Sequence, residues 1–288
     1  MQSRLPQHVL SLYEKGHRDF SGLRLAGADF GGQILVGVNF SGSDLTGANL
    51  SRAFLTKVNF TGANLSRANL MFAKLSGCAL VRTKLTQANL QGAFGVGADF
   101  TQASASGAQM AYVNLRRTQL AGANFSGTTL TGSNMRNAQM PGANFAWANF
   151  SGVRLIGAGI SGCNFNGVRF DHALLNGLHF DDMDLNGVSF QSARLKGASF
   201  SRANLTAANF EAASLRNSDF QDAQLTGANF NRARLHRVRF TRADLRRIDL
   251  TQVDWSDADL SGTCLSQANV SADVSANISA NISANISV

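Results

Sequence analysis

The sequence predicts a solenoid, a chain wound so that its backbone turns a corner every five residues. Three observations carry this. Between Phe200 and Phe230 the apolar residues fall at Phe200, Leu205, Phe210, Leu215, Phe220, Leu225 and Phe230, one at every fifth position. Two residues before most of them stands a small residue, as Ala203, Ala208, Ala213, Ser218, Ala223 and Ala228. The register then holds without insertion or deletion from Phe20 to Val270, which makes 51 repeats, with a bulky apolar group missing from the fifth position only at Gly95 and Ala105. A period of five matches neither the α-helical repeat of about 3.6 nor the strand repeat of about 2. One large and one small side chain per repeat therefore point to a common axis, and no linker or second globular domain interrupts them.

Taken in order, residues 1–18 stand outside the repeat. Pro6 to Lys15 reads as a short helix with proline near its start and Gly16 as its stop. Val9, Leu10 and Tyr13 share a face, and the expected role is to cover the first open rung, since terminal units of a solenoid need a cap. Residues 19–270 are the solenoid. In 271–288 the period changes: ANISANISANISV, from Ala276 to Val288, alternates apolar and polar residues as a two-sided strand does, and its four-residue stripe also suits a helix weakened by Ser and Asn. A loosely held tail or an added strand is the expectation.

Units such as Ala48-Asn49-Leu50-Ser51-Arg52, Ala63-Asn64-Leu65-Ser66-Arg67 and Ala28-Asp29-Phe30-Gly31-Gly32 resemble the A(D/N)LXX pattern of pentapeptide-repeat proteins over about nine-tenths of the chain. The segment Tyr13 to Gly22 is also similar to the lead-in of cyanobacterial members. The resemblance implies an all-β fold, the family's right-handed quadrilateral parallel β-helix, with four pentapeptides in each coil of 20 residues. Residues 20 apart then stack and residues 10 apart face each other. From Phe170 to Phe240 the large site alternates Phe and Leu, so two opposite sides carry Phe and the other two Leu, which fills a narrow square core without overpacking. At about 4.8 Å per coil the expected rod is about 60 Å long.

Composition sets the outer limits. Lys plus Arg number 26 against 18 Asp plus Glu, a net charge of +8. This balance favours anionic partners weakly and argues against an imitation of the charge of DNA. The N-terminus lacks an apolar core of signal-peptide length and no stretch approaches 18 apolar residues, so a soluble, cytoplasmic protein is expected. Cys78, Cys163 and Cys264 are too far apart in this geometry to pair, and read as filler. The five histidines, 8, 17, 172, 179 and 236, do not converge. No nucleophile–base pair, metal-ligand set or phosphate-cradling loop assembles, so no enzyme, metal or cofactor is expected. Asp182, Arg202, Asp222 and Arg242 are spaced by 20 and should form a surface ladder of alternating sign.

Two surfaces remain as candidate sites. Ile34, Phe54 and Phe94 stack in an outward column, and Phe72 and Tyr112 in the neighbouring corner column, with Met71 beside Phe72. Exposed apolar patches of this kind usually mean contact, with another protein or a second copy of the chain. Gly95 vacates the core slot next to Phe94, which gives that ring the alternative of turning inward. The second candidate is Arg232, Arg234, Arg237, Arg239, Arg242, Arg246 and Arg247, a girdle on all four sides rather than the single basic face with stacking aromatics that tracks phosphates. The expected function is a non-catalytic scaffold or regulator acting by protein–protein interaction. The alternatives are a DNA-mimicking protector of DNA gyrase, which the resemblance implies for some members, and a polyanion binder through the arginines. An ice-binding face is remote, because its outward Ser/Thr columns are broken by Asp, Pro and Asn.

Overall fold

The corner is the element from which everything else is built. In most repeats the residue after the next corner donates its N–H back to the fifth-position carbonyl, as Ala48 N–H to Leu45 O (3.0 Å) and Ala203 N–H to Phe200 O (3.0 Å). The second corner residue takes a left-handed conformation, glycine in many repeats (Gly47, φ 65°) and a side-chain-bearing residue in others (Arg52, φ 57°). Such a turn demands positive φ at its third residue, which is why Gly recurs there. The Asn or Asp just before the large residue prepares the corner: Asn64 Oδ1 accepts the N–H of Ser66 (3.1 Å) and Asp29 Oδ1 that of Gly31 (3.0 Å).

This computed structural model describes residues 5–248, 253 and 257–269. Leu250, Trp255, Val270 and the tail 271–288 lie outside the described residues, so the strand-or-tail expectation falls there as well. The chain divides into two compact units, 1–149 and 150–288.

Within each unit, residues 20 apart pair in parallel, as Asn49 with Asn69 and Asn204 with Gln224. Leu50 N–H donates to Asn69 O (2.7 Å) and Asn69 N–H to Ala48 O (2.9 Å). With a corner every five residues and a partner 20 residues on, each coil has four sides. A side is too short for a continuous strand: among the described residues the pairing is a stack of single-residue bridges.

The fifth-position side chains form the core. Every described one from Phe20 to Leu260 is buried, while Leu265 is half-exposed. In the second unit the alternation of Phe and Leu is realised as two aromatic columns. Rings 20 residues apart, from Phe170–Phe190 to Phe220–Phe240, lie 4.8–5.3 Å apart and within 15° of parallel. Rings 10 apart meet across the lumen edge to face, at 5.6–6.0 Å. Both arrangements suit the ring quadrupole.

Among the described residues the one α-helix, α1 (Leu5–Glu14), starts and ends one residue before the sequence-derived bounds. Gly16 (φ 93°) stops it: Gly16 N–H reaches Tyr13 O and His17 N–H reaches Leu12 O, the paired bonds of a Schellman end. Val9 is buried, and Tyr13 Oη accepts the N–H of Val36 (3.2 Å), which ties α1 to the first coils.

Candidate interaction surfaces

In the first unit the outward column runs Ile34, Phe54, Lys74, Phe94, each bridged to the next. All three apolar members are exposed, Phe54 at 47%. Phe94 does not turn inward. It keeps its bridges to Lys74 and Asn114, and Leu115 fills the vacancy, since a Cβ on Gly95 would stand 3.1 Å from Leu115 Cδ2. The member that sequence reading passed over is Lys74, whose Nζ sits 3.6 Å from the centre of the Phe94 ring. The column is therefore aromatic with a cation held in its middle.

Phe72 and Tyr112 occupy left-handed corners (φ 57° in both) and are exposed. They do not meet. Each ring lies over the corner glycine of the next coil: a Cβ on Gly92 would fall 2.5 Å from Phe72 Cε1, and one on Gly132 2.6 Å from Tyr112 Cε1. A glycine 20 residues on thus gives each ring its seat. The geometry brings Ile34, Phe54, Phe72, Lys74 and Phe94 onto one face and sets Tyr112 further along the same corner row. Trp147, also at a left-handed corner of this unit, is 76% exposed. Its position two residues past a fifth-position site was the signal that sequence reading did not use.

In the second unit the arginines of the girdle are largely engaged. Arg242 grips Asp222 through Nε and Nη2 (2.7 and 2.8 Å), and Arg246 grips Asp244. Arg239 pairs with Asp219, Arg237 lies 3.7 Å from Asp257, and Arg247 donates to Gln267 (3.0 Å). The ladder of alternating sign appears as two bidentate pairs, Arg202–Asp182 and Arg242–Asp222. Their hydrogen bonds hold both aspartates below the usual carboxylate range. Each is exposed, so each pair contributes little to stability. Among the described residues at least four of the seven arginines pair with carboxylates, which leaves less charge for a phosphate chain than the sequence suggests.

Among the described residues no group of three or more His, Cys, Asp or Glu could hold a metal ion. Cys78 is buried, donates to Leu55 O (2.9 Å), and burial pushes its thiol up to about 12. Cys264 is exposed. Iodoacetamide at pH 8 is therefore expected to alkylate Cys264 in the folded chain and Cys78 only in urea. Peptide mass spectrometry reads the difference, and equal labelling would contradict the burial.

Two family descriptions fit this geometry. Pentapeptide repeats (8 copies) match residues 24–62, 63–94 and 85–120, and the pentapeptide repeat region matches 133–210 and 193–270. The chain belongs to the pentapeptide-repeat family. Among solved pentapeptide-repeat structures, alr5209 from Nostoc PCC 7120 is 36% identical over 34% of this chain and 78% of its own, with a TM-score of 0.32. HetL, involved in heterocyst differentiation regulation in the cyanobacterium Nostoc sp. strain PCC 7120, is 22% identical over 91% of this chain and 95% of its own (TM-score 0.34). QnrB1, a plasmid-mediated fluoroquinolone resistance protein, is 14% identical over 92% and 96% (TM-score 0.28). None of the curated proteins compared with the chain matches it.

As a pentapeptide-repeat chain it has one more irregularity that sequence reading missed. The small inward slot, three residues past each fifth position, holds Ala, Val, Ser, Thr or Cys from Ala28 to Ala243, with Gln33, Leu178 and Met183 as the exceptions. Leu178 and Met183 fall in adjoining repeats, on one lip of a crevice lined by 157–162 and 177–183. No described helix is long and apolar enough to cross a membrane.

Proposed function

We propose that this pentapeptide-repeat protein is a non-catalytic, cytoplasmic scaffold or regulator that binds another protein through the first unit's face of Ile34, Phe54, Phe72 and Phe94. The observation that carries the reading is the continuity of that face over successive coils, with large apolar side chains left exposed on a rigid ladder. Lys74, held among the rings, adds a charge requirement: the partner segment presents a carboxylate beside apolar side chains. A right-handed winding, as the family resemblance implies, belongs to the same reading.

The test is a double variant, Phe54→Ser with Phe72→Ser. Neither ring contributes to the core, so the folded chain should change in stability by no more than about 0.5 kcal/mol. Capture of the partner from native lysate should fall at least tenfold, since hot-spot aromatics are typically worth about 2 kcal/mol or more. Undiminished capture would remove the reading. The gyrase-protecting alternative requires an acidic, DNA-like exterior, which a net charge of +8 does not supply.

A further inference from the structure

The net charge of +8 is local to one half of the chain. Residues 1–149 hold 13 Lys and Arg against 5 Asp and Glu, and residues 150–288 hold 13 against 13. An imbalance of this kind between two halves points to an anionic partner for the basic one. The units also treat their cations differently. Among the described residues the ion pairs run from Arg169–Asp171 to Arg246–Asp244, all in the second unit, and none involves a lysine or arginine of the first.

Six of the first unit's cations gather on the face that carries the exposed rings. The column Ile34, Phe54, Lys74, Phe94, Asn114, Asn134 runs through successive bridges. The corner before it carries Arg52, Phe72 and Tyr112, and the corner after it Lys57, Arg116, Arg117 and Arg136. Corners stack as the column does, with Arg52 N–H on Met71 O (2.7 Å) and Arg117 N–H on Arg136 O (3.0 Å). Arg52, Lys57, Arg116 and Arg117 are exposed. From 31 to 137 the column and its two flanking corner rows contain no Asp or Glu. The unit's acids stand elsewhere: Glu14 on α1, Asp19 and Asp99 in one column, Asp29 and Asp44 in two others.

The face is therefore an apolar stripe with a cationic stripe beside it. An extended partner would bring only every second side chain to such a surface, whereas a helix can set an apolar stripe and a charged one side by side along its length. Five coil steps separate Ile34 from Asn134, about 24 Å, the length of about 16 helical residues. Ile34 and Val36, both exposed, offer a base no ring to stack on, and Lys74 already covers the Phe94 ring, which favours a polypeptide over single-stranded nucleic acid. We infer that the partner of this face is an acidic amphipathic helix, lying along the coil axis with its apolar stripe on the rings and its carboxylates over the corner of Lys57, Arg116 and Arg117. This rests on the protein-binding reading of the face and names the chemistry of the partner.

The probes are three labelled, acetylated and amidated 16-residue peptides that share one apolar stripe and carry Glu, Gln or Lys beside it, together with a labelled 16-nucleotide oligo-dT. Each is titrated with the full chain and read by fluorescence anisotropy. The Glu peptide is expected to bind at least tenfold more tightly than the Gln peptide at 50 mM NaCl, and that advantage to shrink at 300 mM. Arg52→Gln/Lys57→Gln/Arg117→Gln should cancel the advantage and leave the Gln peptide unaffected. The corners should tolerate the change, because Gln87 and Gln102 occupy left-handed corners of the same kind (φ 58° in both). Arg116→Gln/Arg136→Gln, which leaves the left-handed positions untouched, should move the readout the same way. Phe54→Ser/Phe72→Ser should weaken the Glu and Gln peptides alike. Should the serine variant lose peptide while both glutamine variants keep the full preference for Glu, the face binds protein without regard to charge and only this inference falls. Should the serine variant bind as the parent does, the protein-binding face falls with it. Equal binding of the Glu and Lys peptides, no binding of the Glu peptide at millimolar concentration, or tighter binding of oligo-dT than of the Glu peptide would each overturn the inference as well.

Discussion

Phe200→Ala is expected to destabilise the second unit by about 3–5 kcal/mol, the largest effect of any single side chain proposed here. Phe200 is fully buried, stacked between Phe180 (5.0 Å) and Phe220 (4.8 Å), and meets Phe190 and Phe210 edge to face at 5.6 and 5.7 Å. Truncation removes a ring from both directions of contact at once. The ladder also prevents collapse of the void, because Phe200 N–H is fixed to Asp219 O (2.7 Å) and the coils cannot close the gap without breaking such bonds. Urea unfolding followed by circular dichroism measures the loss. A change below about 1 kcal/mol would mean that the aromatic columns are not packed as described.

The second large effect comes from adding atoms rather than removing them. Ala208→Leu combined with Ala213→Met installs at two adjoining, fully buried slots the pair of residues found at 178 and 183. Overpacking of this kind costs about 1–3 kcal/mol at each position. The structural consequence is specific. The bonds Phe190 N–H to Asn209 O (2.7 Å), Asn209 N–H to Val188 O (3.0 Å) and Ser214 N–H to Ala193 O (2.9 Å) should open, and their amides should exchange faster while those two coils further along do not. Uniform loss of protection, or none, would show that slot size does not control the ladder.

The two variants bracket how much of this protein its sequence discloses. The fifth-position core, the Asn and Asp that prime the corners, and the pairing of Asp182 with Arg202 and Asp222 with Arg242 all follow from spacing, because a rigid period of 20 maps sequence directly onto neighbours. Helix α1 was placed to within a residue by Pro6 and Gly16. The candidate face was legible only in part. Ile34, Phe54 and Phe94 stand in one column as their spacing demands, but reading for apolar residues skipped Lys74, the cation that makes the column chemically distinctive.

By itself the sequence determined the coil: where the chain turns, which side chains fill the lumen, and which residues stack, since each of these is a local or periodic property of the backbone. Tertiary structure alone decided what depends on how neighbouring side chains share space. It kept Phe94 outside because Leu115 had already taken the room beside Gly95, and it seated Phe72 on Gly92. It spent the charge of Arg239, Arg242 and Arg246 on carboxylates, one in the same repeat and two in the preceding coil. It set Leu178 and Met183 on one lip of a crevice, in slots that elsewhere hold small residues and where close packing between coils leaves little volume for a larger side chain.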